Sequence, residues 1–213
     1  MSDKPELKRF IGLVLALLIP SFVLWMLISP WLAGPAVLLV DVILTAWMPE
    51  VVAEVQLRGA EALTVTQFGE LDGRVVSINI AEFQLAYPTD VRVLSYSIAF
   101  YAALTFAMPQ SDNFSRFGWG LWFLYPLIVL GLVFVILKDL MLGLGPILFE
   151  QDIPFLPNQH VIGMFYQMSI LIIPPVAPMV IWAWQSRDSP FLQKLASINS
   201  APEAEKPSQL TPK

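Results

Sequence analysis

Residues 51–90 read VVAEVQLRGAEALTVTQFGELDGRVVSINIAEFQLAYPTD, the one long polar-patterned stretch in a chain of apolar runs. Val51, Ala53, Val55 and Leu57 alternate with Glu54, Gln56 and Arg58, and beyond Gly59 the alternation resumes with Thr64 and Thr66. A third run sets Val76, Ile78 and Ile80 against Ser77 and Asn79. Period-two patterning interrupted by Gly59 and by Gly69-Glu-Leu-Asp-Gly73 predicts a small antiparallel β-meander. An open sheet in hydrocarbon would leave its edge amides unpaired. The meander is therefore expected outside the bilayer, on its periplasmic side, with the rest of the chain as its anchor.

Composition supports the anchor. Of 213 residues 56% are hydrophobic and only 14% charged, where a soluble domain is about a quarter charged. The class is an integral membrane protein, mainly α. Without cysteine there is no disulfide, thiolate nucleophile or Cys-ligated metal, and the single histidine, His160, cannot form a histidine cluster. Gly143-Leu-Gly145 lacks the strand, third glycine and lysine of a phosphate loop. No metal, cofactor or nucleic acid is expected.

Four transmembrane helices are predicted, with an interfacial helix and the meander inserted between the first two. Residues 1–9 form a short cytoplasmic start with Lys4, Lys8 and Arg9, and 10–32 form an uncleaved first span, bent near Pro20 and closed at Pro30. Residues 35–48 are too short to cross, since crossing takes about 20 residues, and are expected as the interfacial helix. The second, third and fourth spans are 92–108, 117–137 and 161–184, with an outer interfacial loop at 139–159. Residues 186–213 are expected to be a cytoplasmic, largely disordered tail. Both termini then lie inside. Lys4, Lys8, Arg9, Arg116, Arg187, Lys194, Lys206 and Lys213 share their side, while Arg58, Arg74, Arg92 and Lys138 lie opposite. The bias agrees with the positive-inside rule for a bacterial inner membrane.

Several polar groups could carry function. Asp41 is either an embedded carboxylate, which costs about 3 kcal/mol at mid-bilayer depth, or the polar face of the interfacial helix. Lys138-Asp139 reads as an intramembrane ion pair or as an interface anchor with a snorkelling lysine. His160, beside Asn158 and Gln159, suits a helix entry better than a hydrolase base, because no nucleophile has a spacing that implicates it. Gln167, next to Tyr166, can bond across helices within this chain or to a partner. Pro174, Pro175 and Pro178 distort the last span and free carbonyls, a feature that packs against a partner or, in transporters with repeats, lines a substrate path.

The wording Lys8-Arg9-Phe10-Ile-Gly-Leu, then Ile28-Ser-Pro-Trp-Leu32, the strand island and Tyr166-Gln-Met-Ser-Ile-Leu-Ile-Ile-Pro-Pro-Val-Ala-Pro-Met-Val180 resembles the exosortase H-associated membrane proteins. The resemblance covers roughly residues 8–184. It implies partnership with exosortase H, a cysteine transpeptidase-like membrane enzyme, or with the proteins whose C-terminal sorting signals that enzyme processes. Lacking cysteine, this chain is not the enzyme, and the resemblance assigns no catalytic residue to it. The expectation is a non-catalytic accessory protein in contact with the lipid bilayer. Its partner contacts would come from Tyr166, Gln167, Pro174, Pro175 and Pro178, with Asp41, Lys138 and Asp139 as further candidates. The alternative is a small transporter or lipid-carrier component built around embedded Asp41, Lys138 and Asp139.

Overall fold

The computed structural model describes residues 4–108 and 112–189. The tail expected from 186 onward lies almost wholly outside the described residues. The first helix, α1, is Lys4–Trp47, followed by strands β1 (Val52–Arg58), β2 (Glu61–Leu71), β3 (Arg74–Ser77) and β4 (Phe83–Asp90). Five helices complete the order: α2 (Arg92–Phe106), α3 (Asn113–Leu144), α4 (Pro146–Glu150), α5 (Gln159–Leu171) and α6 (Ile173–Ser186).

The antiparallel sheet is present, but it is not a simple meander. Thr64 pairs with Val55 of β1 on one side and Tyr87 of β4 on the other, and Gly69 is likewise flanked by Val76 of β3 and Gln84 of β4. The long strand β2 is therefore central, with β4 along one edge and β1 and β3 end to end along the other. The β2–β3 turn is closed by Asp72 and Gly73, both at positive φ (50° and 74°), the backbone that a two-residue hairpin demands. A register shift separates Val65 and Gly69 opposite β4. There the Thr66 hydroxyl donates to Leu85 O at 2.9 Å and Gln84 Nε2 donates to Thr66 O at 2.9 Å, so the irregular backbone keeps its partners.

The inward face of β2 is Ala62, Thr64, Thr66 and Phe68, all buried. It joins the helices in one core: Val51, Val52 and Val55 cluster with Val37, Val40 and Leu44 of α1 and with Leu137, Leu140 and Leu144 of α3. The sheet thus sits on the ends of α1 and α3. Its alternation follows from that seat, because only one face is shielded from water.

One expectation about the helices is corrected and another is met in part. The break between a first span at 10–32 and a separate helix at 35–48 is absent, and α1 stays helical through Pro20, Pro30 and Pro35. A proline removes one amide donor, and neighbouring groups cover such losses inside a bundle. The Ser29 hydroxyl sits 3.5 Å from Met26 O, the carbonyl that Pro30 leaves without its donor, and the Tyr125 hydroxyl of α3 donates to Leu32 O. The part met concerns the count of spans. Among the described residues two helices are long and apolar enough to cross a membrane, Leu7–Trp47 and Asn113–Leu144. The pair α5 and α6, bent by 59°, makes three if it counts as one span.

The predicted span at 92–108 is the 15-residue α2, short for a crossing and enclosed by the bundle. Leu94, Ser95, Ile98, Ala99, Tyr101 and Leu104 are all buried, and Trp25 Nε1 of α1 donates to Ser95 Oγ at 3.2 Å. Helix α3 also runs two turns past the expected end at 137, so the outer loop is shorter and contains α4. Within it Pro154 O accepts from Trp47 Nε1 at 2.7 Å, which ties the loop to the end of α1.

Candidate functional site

Four polar side chains from three elements meet where the sheet rests on the bundle. Lys138 and Asp139 are consecutive on α3, so their side chains leave the helix about 100° apart and reach different neighbours. The Asp139 carboxylate accepts from the Thr89 hydroxyl of β4 at 2.7 Å, and Thr89 is itself buried. The Lys138 ammonium lies 4.8 Å from the ring centroid of Tyr166 on α5 and returns to bond Asp139 Oδ1. Both charged side chains are 21% exposed. At that depth an isolated charge is costly, and a paired, hydrogen-bonded one is tolerated. The cluster joins α3, α5 and β4, and beside it the Tyr87 ring packs against Gly143, where a side chain would collide.

Asp41 does not join this cluster. Its Oδ1 accepts from Val55 N at 2.7 Å, fastening α1 to the first strand. A cavity of about 870 Å³ runs between α1 and α3 from Gly118 to Leu137 and is lined by none of Asp41, Lys138 and Asp139. The three groups thus do not line that cavity, and the transporter alternative finds no support there.

The remaining candidates lie on α5 and α6. Pro174 and Pro178 are buried and Pro175 is half-buried, so these prolines shape the bend from within. Gln167 is exposed and makes no hydrogen bond among the described residues. It stands in an apolar outward stripe with Met164, Met168 and Leu171, which are 52%, 39% and 68% exposed. His160 is exposed in the first turn of α5, behind the Asn158 cap that accepts from Val161 N at 3.0 Å.

One polar knot escapes the sequence reading. At the opposite end of the bundle the Tyr101 hydroxyl of α2 donates to Gln185 Oε1 of α6 at 2.6 Å. Gln185 Nε2 donates to Arg116 O at 3.1 Å, and Arg116 Nη1 donates to Gln185 O at 2.7 Å. Three helices are clasped by residues up to 84 positions apart. The available signal was coarse: polar groups at the ends of adjacent apolar helices.

The model of a family described as exosortase H-associated membrane protein matches residues 4–189, a span that contains the sheet and every described helix. The chain belongs to this family. No curated protein and no solved structure matches it. In this member of the exosortase H-associated family, the matched region takes in both the Lys138–Asp139 junction and the outward face of α5.

Proposed function

We propose that this protein is a non-catalytic accessory subunit of the inner membrane that docks exosortase H, or a sorting substrate of that enzyme, on the outward face of α5. The observation that carries the reading is Gln167, a carboxamide displayed amid Met164, Met168 and Leu171 with no hydrogen-bond partner among the described residues. An amide in hydrocarbon without a hydrogen bond costs several kcal/mol. A helix that supplies an acceptor and a donor recovers about 1 kcal/mol per bond, and flexible methionines adapt to its surface. The family's description, exosortase H-associated, supports the choice of partner. Gln167→Leu in the full chain is expected to leave folding intact and to cut co-purification of exosortase H from mild detergent by about fivefold. Undiminished co-purification, or an enzyme that never accompanies the wild type, would remove the docking role.

The same reading places the sheet in the periplasm and both termini in the cytoplasm. About 35 Å of helix rise separates Arg116 from Asp139 on α3, close to the roughly 30 Å of a hydrocarbon core. Basic Arg116 and Arg187 then face inward. Ser77 is exposed at the end of β3, and the chain has no native cysteine. Ser77→Cys should react with a membrane-impermeant maleimide added to intact spheroplasts. Labelling only after the membrane is opened would reverse the orientation.

A further inference from the structure

At the end of the bundle away from the sheet, a notch of about 460 Å³ opens between the start of α3 and the end of α6. Its wall includes Ser115, Arg116, Trp119, Trp184, Arg187 and Asp188. The volume is that of a small-molecule site. Arg116 is half-buried, spends one N–H on Gln185 O, and has no carboxylate partner among the described residues. The Arg187 guanidinium lies 6.0 Å from the ring centroid of Trp184. Its ion pair with Asp188, at 3.5 Å, joins side chains 66% and 83% exposed, so water screens it and the guanidinium stays available. Counting Asp188, the notch keeps one net positive charge. Through Ser115 and Trp119 it adjoins a smaller cavity, which shares Gly118 and Trp122 with the apolar groove between α1 and α3.

We propose that this notch and groove together hold one anionic phospholipid. The phosphodiester lies against Arg116 and Arg187, and an acyl chain enters the groove past Trp122. The chemistry of each part matches. Guanidinium forks bind phosphate oxygens in pairs, indoles prefer the headgroup level, and basic pockets between spanning helices take anionic headgroups. The groove is lined by Leu39, Ile43, Val129, Val133 and Leu137, with no charged residue in its wall. That wall suits a hydrocarbon chain and offers nothing to a soluble anion. The proposal does not rest on the docking role of α5.

Native mass spectrometry of the full chain in non-ionic detergent tests it, with phosphatidylglycerol, phosphatidylcholine and glycerol 3-phosphate as separate probes. Phosphatidylglycerol should be retained roughly tenfold better than phosphatidylcholine, and the R116Q/R187Q double variant should lose that preference. Arg187→Gln alone, an exposed change outside the Tyr101 clasp, should lose part of it, which keeps the test readable if Arg116→Gln unfolds. Equal retention of the two lipids, or a preference that survives Arg187→Gln and the double change, overturns the site. Retention of glycerol 3-phosphate as strong as that of the lipid overturns the acyl-chain half and leaves a free-phosphate site.

Discussion

Gly120→Ala is expected to lower the unfolding midpoint of the detergent-solubilised protein by about 10 °C. A β-carbon at this point of α3 would fall inside van der Waals contact of the Tyr101 ring, on its hydroxyl edge. Tyr101 is fully buried and cannot withdraw freely. Its hydroxyl is held by Gln185, and its ring stacks on Phe117 at 5.7 Å between centroids. Overpacking of a core costs about 1–3 kcal/mol, and displacement of the ring breaks a hydrogen bond worth about 1 kcal/mol. A total near 2–4 kcal/mol corresponds to about 10 °C for a chain of this size at about 2–4 °C per kcal/mol. Thermal unfolding of both proteins in one detergent checks it, and a shift within about 1 °C would show that the ring has room. In a Tyr101→Ala background, itself destabilised by loss of the buried ring, Gly120→Ala should cost much less than in the wild type, because the collision then has no second party.

Breaking the Lys138–Asp139 pair from one side should also be costly, with an asymmetry between the partners. Lys138→Met strands a carboxylate that keeps only the Thr89 hydroxyl. Asp139→Asn strands an ammonium that keeps the Tyr166 ring and can swing toward water on its flexible stem. Loss of one partner of a buried pair costs about 3–5 kcal/mol. With one-fifth of each side chain exposed, a smaller loss of about 2 kcal/mol is expected for Lys138→Met and about 1 kcal/mol for Asp139→Asn. The double change Lys138→Met with Asp139→Leu should fall near the wild type, since an apolar pair of similar volume leaves no charge to solvate. Denaturation midpoints of the wild type, Lys138→Met, Asp139→Leu and the double change give the coupling directly. Simple additivity of the two losses would mean that the charges do not compensate one another.

How legible these features were depends on the range over which their causes act. The sheet was readable because alternation at Val55, Leu57, Thr64 and Thr66 is local and one face is dry. Three alternating runs predict strands, and no fourth strand is predicted at 83–90, where Pro88 weakens a strand assignment. Pro88 is tolerated because β4 is an edge strand whose outer side needs no donor. The continuity of α1 was misread for a related reason. Pro30 and Pro35 do remove amide donors, but the Ser29 hydroxyl lies beside the carbonyl that Pro30 orphans, and the Tyr125 hydroxyl of another helix holds the same stretch at Leu32 O. Residues 92–108 look like a span by composition, yet α2 owes its apolar surface to enclosure by α1, α3 and α6 as much as to lipid.

Composition and periodicity by themselves determined the membrane class and the sheet between apolar helices, and the local wording at 8–13, 28–32 and 166–180 carried the likeness to the exosortase H-associated family. The tertiary structure alone decided what each polar group does. It sent Asp41 to the amide of Val55, gathered Thr89, Asp139, Lys138 and Tyr166 at one junction, and left Gln167 facing outward. The physical reason is separation along the chain. Thr89 and Asp139 are 50 residues apart and Tyr101 and Gln185 are 84. Such partners are selected by how helices pack, for which no local pattern codes.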